Sequence, residues 1–154
     1  MLALNSRIVF LLLLMSIVTY LIVYTESIDK GEPLTEFYVL SAEGKAEGYP
    51  LSISTGEIGA VTIGVINREF KDVEYLLVVG LTQVTFFTGV NETDLNDNVQ
   101  TVQKKSITLK DSEKWVERFN FTFNSPGKHK VEFLLYNDGE EPYRMLHLWV
   151  DVRD

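Results

Sequence analysis

Two hydrophobic rhythms divide the chain. From Ile8 to Tyr24 (IVFLLLLMSIVTYLIVY), seventeen residues pass without a charge, a proline or a glycine. At about 1.5 Å per residue they predict a helix of about 25 Å, the short end of what spans a bilayer. After Pro33 the apolar residues return at every second position, the period of half-buried strands. Thr35 to Leu40 predicts a first strand, the glycines and proline of SAEGKAEGYP a turn, and Leu51 to Ser54 a short second strand. In AVTIGVIN, Val61, Ile63 and Val65 share one face. In VEYLLVVGL, Val73, Tyr75, Leu77, Val79 and Leu81 do so. Leu76 and Val78, on the opposite face of that strand, are expected inside a two-sheet core.

Three further strands follow a polar stretch. Thr85 to Gln103, which includes TGVNETDLNDNVQ, is too polar to bury itself and predicts an exposed loop. Trp115 to Phe123 places Trp115, Phe119, Phe121 and Phe123 together. KVEFLLY turns Val131, Phe133 and Leu135 inward, and YRMLHLWVDV turns Leu146, Leu148, Val150 and Val152 inward. Strands at this spacing, joined by Gly, Pro and Asn turns, predict a mainly β fold: an antiparallel immunoglobulin-like β-sandwich preceded by one transmembrane helix. An up-and-down barrel has the same alternation and is the alternative architecture. The expected organisation is an anchor over residues 1–25, a linker over 26–33 and an extracytoplasmic β domain over 34–154.

The apolar helix is read as an anchor in preference to a cleaved signal. The run is longer than a signal core, and no pair of small residues two apart follows it. Arg7 precedes the helix, whereas Glu26, Asp29 and Glu32 follow it with only Lys30 among them. Retention of positive charge on the cytoplasmic side predicts a single-pass protein of the cell membrane, with its amino terminus inside and its β domain outside. All 22 acidic residues and 13 of the 14 basic ones lie beyond the helix, a formal charge of −9. That surface repels phosphate backbones and argues against nucleic acid as a partner. The chain has no cysteine, so disulfides, thiolate chemistry and cysteine-ligated metals are excluded. Its stability has to come from apolar burial.

Candidate chemistry is sparse. Neither His129 nor His147 has a partner at a metal-site spacing. His129 is expected to be solvated in a Gly-Lys-His-Lys turn, and His147 to be a structural residue of the last strand. Asp94, Asn96 and Asn98 open like a calcium loop, but Val99 and Lys105 stand where an EF-hand needs glycine and glutamate. A solvated acidic loop is the default reading there. Glu140 and Glu141 are adjacent acids of a turn. No cofactor, metal or catalytic residue is therefore expected, and the chain is read as a non-enzyme. Two sequons, Asn91-Glu-Thr93 and Asn120-Phe-Thr122, make Asn91 and Asn120 glycosylation candidates. Phe86, Phe87 and Trp149 are apolar residues left over from the strand faces and are the partner-contact candidates.

Three segments also carry a family resemblance: GEPLTEFYVLSAEGKAEGYP, GEIGAVTIGVINREFKDVEYLLVV and SPGKHKVEFLLYNDGEEPYRMLHLWVDV. Together they resemble the carboxy-terminal domain of an archaeal membrane family known as domain of unknown function 1616, over about residues 31 to 152. Members of that family carry several membrane helices before this domain, where this chain has one. The resemblance implies an archaeal envelope protein with an outward-facing β domain and brings no activity or catalytic residue. The resulting expectation is a non-catalytic interaction domain, in contact with membrane lipid through residues 8–24, that binds another envelope protein or a glycan. The alternative is an accessory subunit of a larger membrane complex, associating through its helix by way of Ser16 and Thr19.

Overall fold

A computed structural model describes residues 6–28, 31–83 and 99–154. The chain divides into two compact units, residues 1–33 and 34–154. The first holds helix α1, Ser6–Ile28. Its stretch Ser6–Tyr24 has a mean hydropathy of 2.3 and is exposed on every side, long and apolar enough to be a membrane span or a signal sequence. A helix apolar all round suits lipid better than water. The hydroxyls of Ser16 and Thr19 donate to the carbonyls of Leu13 and Met15, both at 2.8 Å, so their donors are satisfied within the helix itself.

The second unit is a β-sandwich. Its strands are β1 (Leu34–Ser41), β2 (Ser52–Ser54), β3 (Gly59–Arg68), β4 (Val73–Gln83), β5 (Gln100–Leu109), β6 (Lys114–Phe121), β7 (Gly127–Asn137) and β8 (Arg144–Arg153). One sheet has the order β1-β3-β6 and the other β2-β8-β7-β4-β5. Pairing is antiparallel except where β2 runs parallel to the end of β8. Two separate sheets with free edges exclude the closed barrel.

Alternation explains the core. Val61, Ile63 and Val65 of β3 face Tyr75, Leu77 and Val79 of β4 and Val131, Phe133 and Leu135 of β7 across the interior, and all nine are almost fully buried. Phe119 meets Phe133 edge to face at 6.2 Å. Each large side chain so buried contributes about 1.5–3 kcal/mol, which is the main stabilising term in a chain without disulfides.

Two expectations are corrected. Gln100–Gln103, read as loop, is the start of β5, which pairs with β4 along an edge of the larger sheet. Only Ile107 and Leu109 of β5 are buried, and the inward positions before them hold the polar, half-buried Gln103 and Lys105, so the strand shows no apolar period. Leu76 and Val78 are not in the inter-sheet core. They project from the outer face of the larger sheet, where Leu76 is exposed and Val78 is covered, between Lys104 and Leu134 in register.

Candidate interaction site on the last strand

The start of β8 is held by a polar corner at the end of the sandwich where the chain enters it. Asn67, at the end of β3, is fully buried. Its side-chain amide donates to the carbonyls of Lys71 at 2.7 Å and Leu109 at 3.0 Å, and its Oδ1 accepts from the Glu69 N–H at 2.9 Å. Thr35 Oγ1 donates to Glu69 Oε1 at 2.7 Å and lies 2.7 Å from the Tyr75 hydroxyl. Tyr143, the residue before β8, donates to the same Glu69 oxygen at 2.9 Å. Burial pushes both phenols above their ordinary value of 10.0, and the Glu69 carboxylate reinforces the shift. These groups bond to one another, and they tie β1, the β3–β4 turn and the β7–β8 turn into one corner.

Beyond that corner β8 leaves an open edge. Asp151 N–H donates to the Leu51 carbonyl and Thr55 N–H donates to the Arg153 carbonyl, so the odd-numbered residues of β8 direct their backbone groups away from β7. β2 meets only Ser52↔Asp151 to Ser54↔Arg153. The outward N–H and C=O groups of Met145, His147 and Trp149 thus have no strand partner among the described residues. Facing them across the side of the sandwich is the outer edge of β1. Its Val39 carbonyl accepts from the Tyr49 hydroxyl at 3.0 Å, and its Ser41 bonds back to the 42–45 turn. A groove of about 380 Å³ separates the two edges, lined by Phe37, Tyr38, Val39, Tyr49, Leu146 and Leu148 with His147. Phe37, Val39, Leu146 and Leu148 are half-buried and form its apolar floor.

The outer face of β8 is aromatic and cationic. Lys128 and Lys130 set their ammonium groups 5.0 and 5.7 Å from the centre of the Trp149 ring, and His147 meets that ring edge-on at 5.9 Å. Lys130 also pairs with Glu132 at 2.8 Å. The other side of the sandwich is latched instead: Glu117 of β6 accepts from Gln103 at 3.0 Å and pairs with Lys105 of β5. The Lys105 hydrogen bond, aided by Gln103, holds the Glu117 carboxyl below its ordinary value of 4.5.

Of the residues singled out by sequence, Trp149 lies at the rim of this site, with Met145 exposed beside it. Phe86, Phe87, Asn91 and the calcium-like positions Asp94, Asn96 and Asn98 lie outside the described residues. Asn120 is exposed near the end of β6, and Thr122 just after it is also exposed. Glu140 and Glu141 are exposed in the β7–β8 turn. Among the described residues, no three of His, Cys, Asp and Glu converge as a metal set would. The reading of His129 is corrected: it is buried within β7, stacked on Phe123 at 4.2 Å, with Nε2 2.9 Å from the Ser125 carbonyl. β7 begins at Gly127, so the whole Gly-Lys-His-Lys run lies in the strand and not in the turn. Sequence reasoning also missed Phe37, Tyr38 and Tyr49 as groove residues. The available signal was the uncharged stretch Met145–Trp149 opposite the equally uncharged Phe37–Leu40.

Fold and edge together define an immunoglobulin-like β-sandwich preceded in the chain by one apolar helix. The family model for Domain of unknown function (DUF1616) matches residues 28–151, and the chain belongs to that family. No functionally curated protein matches it in sequence. Among solved structures it is similar to the CARDB domain of a Pyrococcus furiosus protein, crystallised in complex with di-metal ions. That match has a TM-score of 0.53 and 13% identity over 79% of this chain and 94% of the other. The solution structure of the same domain gives 0.55 and 12%, over 79% and 96%. A β-glucosidase from Listeria innocua in complex with glucose matches at 0.54 and 17%, but over 80% of this chain and only 17% of the enzyme. At these identities the likeness is one of fold.

Proposed function

We propose that this chain is a non-catalytic interaction domain, anchored in the cell membrane by α1 with its sandwich outside, that binds another protein of the envelope. The observation that carries the reading is the open side of the sandwich. Two uncharged edges flank an apolar groove there, while the opposite side is latched by Glu117, Gln103 and Lys105. Apolar grooves with a polar rim are what protein partners fill. A protein fits better than a glycan, because the Trp149 face on which a sugar ring would stack already carries two lysine ammonium groups. The polar residues that converge elsewhere bond to one another in the Asn67 corner, which supports a structural and not a catalytic role for them.

Anchoring is supported by the length and apolarity of Ser6–Tyr24, and the outward orientation by Arg7 before it and the acidic residues after it. Association through the helix has less support, since Ser16 and Thr19 use their hydroxyl donors on their own helix. Crosslinking in native membranes, repeated after α1 is replaced by an unrelated anchor, tests the reading. The same neighbours are expected with either anchor. Neighbours lost on exchange of the helix would contradict it.

A further inference from the structure

The β8 edge is shaped for a particular kind of guest. Three successive outward residues, Met145, His147 and Trp149, present backbone donors and acceptors that have no strand partner among the described residues, spaced as a ladder over about 13 Å. Only another extended chain satisfies such a row in register. The fold already uses this line: β2 adds to the same edge, parallel to Asp151–Arg153, and stops there. Natural sheets protect free edges with charge, and this one does so selectively. β5 carries Lys104 and Lys105, and β6 carries Lys114, Glu117 and Arg118, whereas Met145 to Trp149 has no formally charged residue. Beneath the edge, Leu146 and Leu148 meet Phe37 and Val39 as a half-buried apolar floor.

We propose that the outer edge of β8 from Met145 to Trp149 is a strand-addition site that takes an extended, uncharged peptide segment of a partner protein in line with β2. The proposal rests on the interaction-domain reading and names how the partner is held. Backbone bonds to residues 145, 147 and 149 supply register. Alternate side chains of the guest point down onto Phe37, Leu146 and Leu148, so the guest alternates apolar with small polar residues. The flanking His147 and Trp149 side chains lie on the opposite face, beside the guest's other set.

The test uses the full chain in lipid nanodiscs and a displayed library of random dodecapeptides. Selected sequences are expected to be uncharged and alternating. His147→Pro removes an outward N–H that makes no bond to β7, so the strand keeps its ladder. A second variant, Met145→Lys with His147→Lys, charges the edge without touching the core. Selected peptides should bind each variant at least about ten-fold more weakly than the parent, with melting temperatures little changed. Hydrogen exchange gives a separate signature: saturating peptide should slow the amides of Met145, His147 and Trp149 and leave those of Leu146 and Leu148 as they were. Peptides that bind parent and variants equally would overturn the edge while leaving an interaction domain that binds elsewhere. A library yielding no binder, or a chain that dimerises without peptide in a His147→Pro-sensitive manner, would overturn it too. The interaction-domain reading is decided independently by the neighbours found in native membranes.

Discussion

Asn67 shows how much one polar side chain can carry. It is fully buried, bonded through both ends of its carboxamide, and its backbone pairs with Ser112 and Glu113 of the β5–β6 turn. Replacement by alanine leaves two carbonyls and one N–H without partners. Asn67→Ala should therefore lower stability by about 2–4 kcal/mol, measured as a shift in the urea midpoint of the full chain in detergent. The neighbouring phenols make a pH prediction. Tyr75 and Tyr143 hold their protons more tightly folded than unfolded. Below about pH 10, both states keep the proton and stability is unaffected. Above it the unfolded chain ionises first, so stability falls as pH rises toward the raised folded values. Tyr143→Phe should flatten that fall in denaturation series run between about pH 9 and 11. Nothing in the polar turn NREFKD announced Asn67 as a core residue, because the sequence cannot distinguish a buried amide with internal partners from a solvated one. His129 was hidden for the same reason: the lysines beside it suggested water, and only the stack on Phe123 reveals the interior.

Strands were legible where both of their faces obeyed different solvents. β3, β4, β7 and β8 alternate because one face meets the opposite sheet, and their inward residues are the ones the period selects. β5 was invisible because its inward positions before Ile107 are polar, Gln103 and Lys105, half-buried and bonded to Glu117, so no apolar period marks the strand. Two glycines record close approaches between elements. A Cβ on Gly59 would strike the Phe121 ring, which is buried and cannot swing away. On Gly64 it would strike the outer end of the half-buried Tyr38 ring, which can. Gly59→Ala should cost about 1–3 kcal/mol and Gly64→Ala less, compared by thermal unfolding under one set of conditions. The β8 edge was half legible. Its outward apolar residues stood out in sequence, but the absence of a partner beyond Asp151 depends on where β2 stops, which periodicity does not encode.

For the whole molecule, the sequence carries the arrangement more openly than the site. A mostly apolar helix followed by an acidic, cysteine-free β domain is visible in the sequence alone, and the sandwich then collects its uncharged edge stretches on one side and its charged latch on the other. Asn120 and Thr122 are both exposed, so an outside location predicts modification there: glycopeptide mapping of protein from its native source should find a glycan on Asn120, and an unmodified Asn120 peptide would reject it. The most direct measurement is site-specific photo-crosslinking in native membranes, with the reactive group placed in turn at Met145 on the open edge and at Val116, also exposed, on the latched side. An adduct with one partner protein is expected from position 145 and none from position 116. Equal yields from both positions, or no adduct from 145, would contradict it.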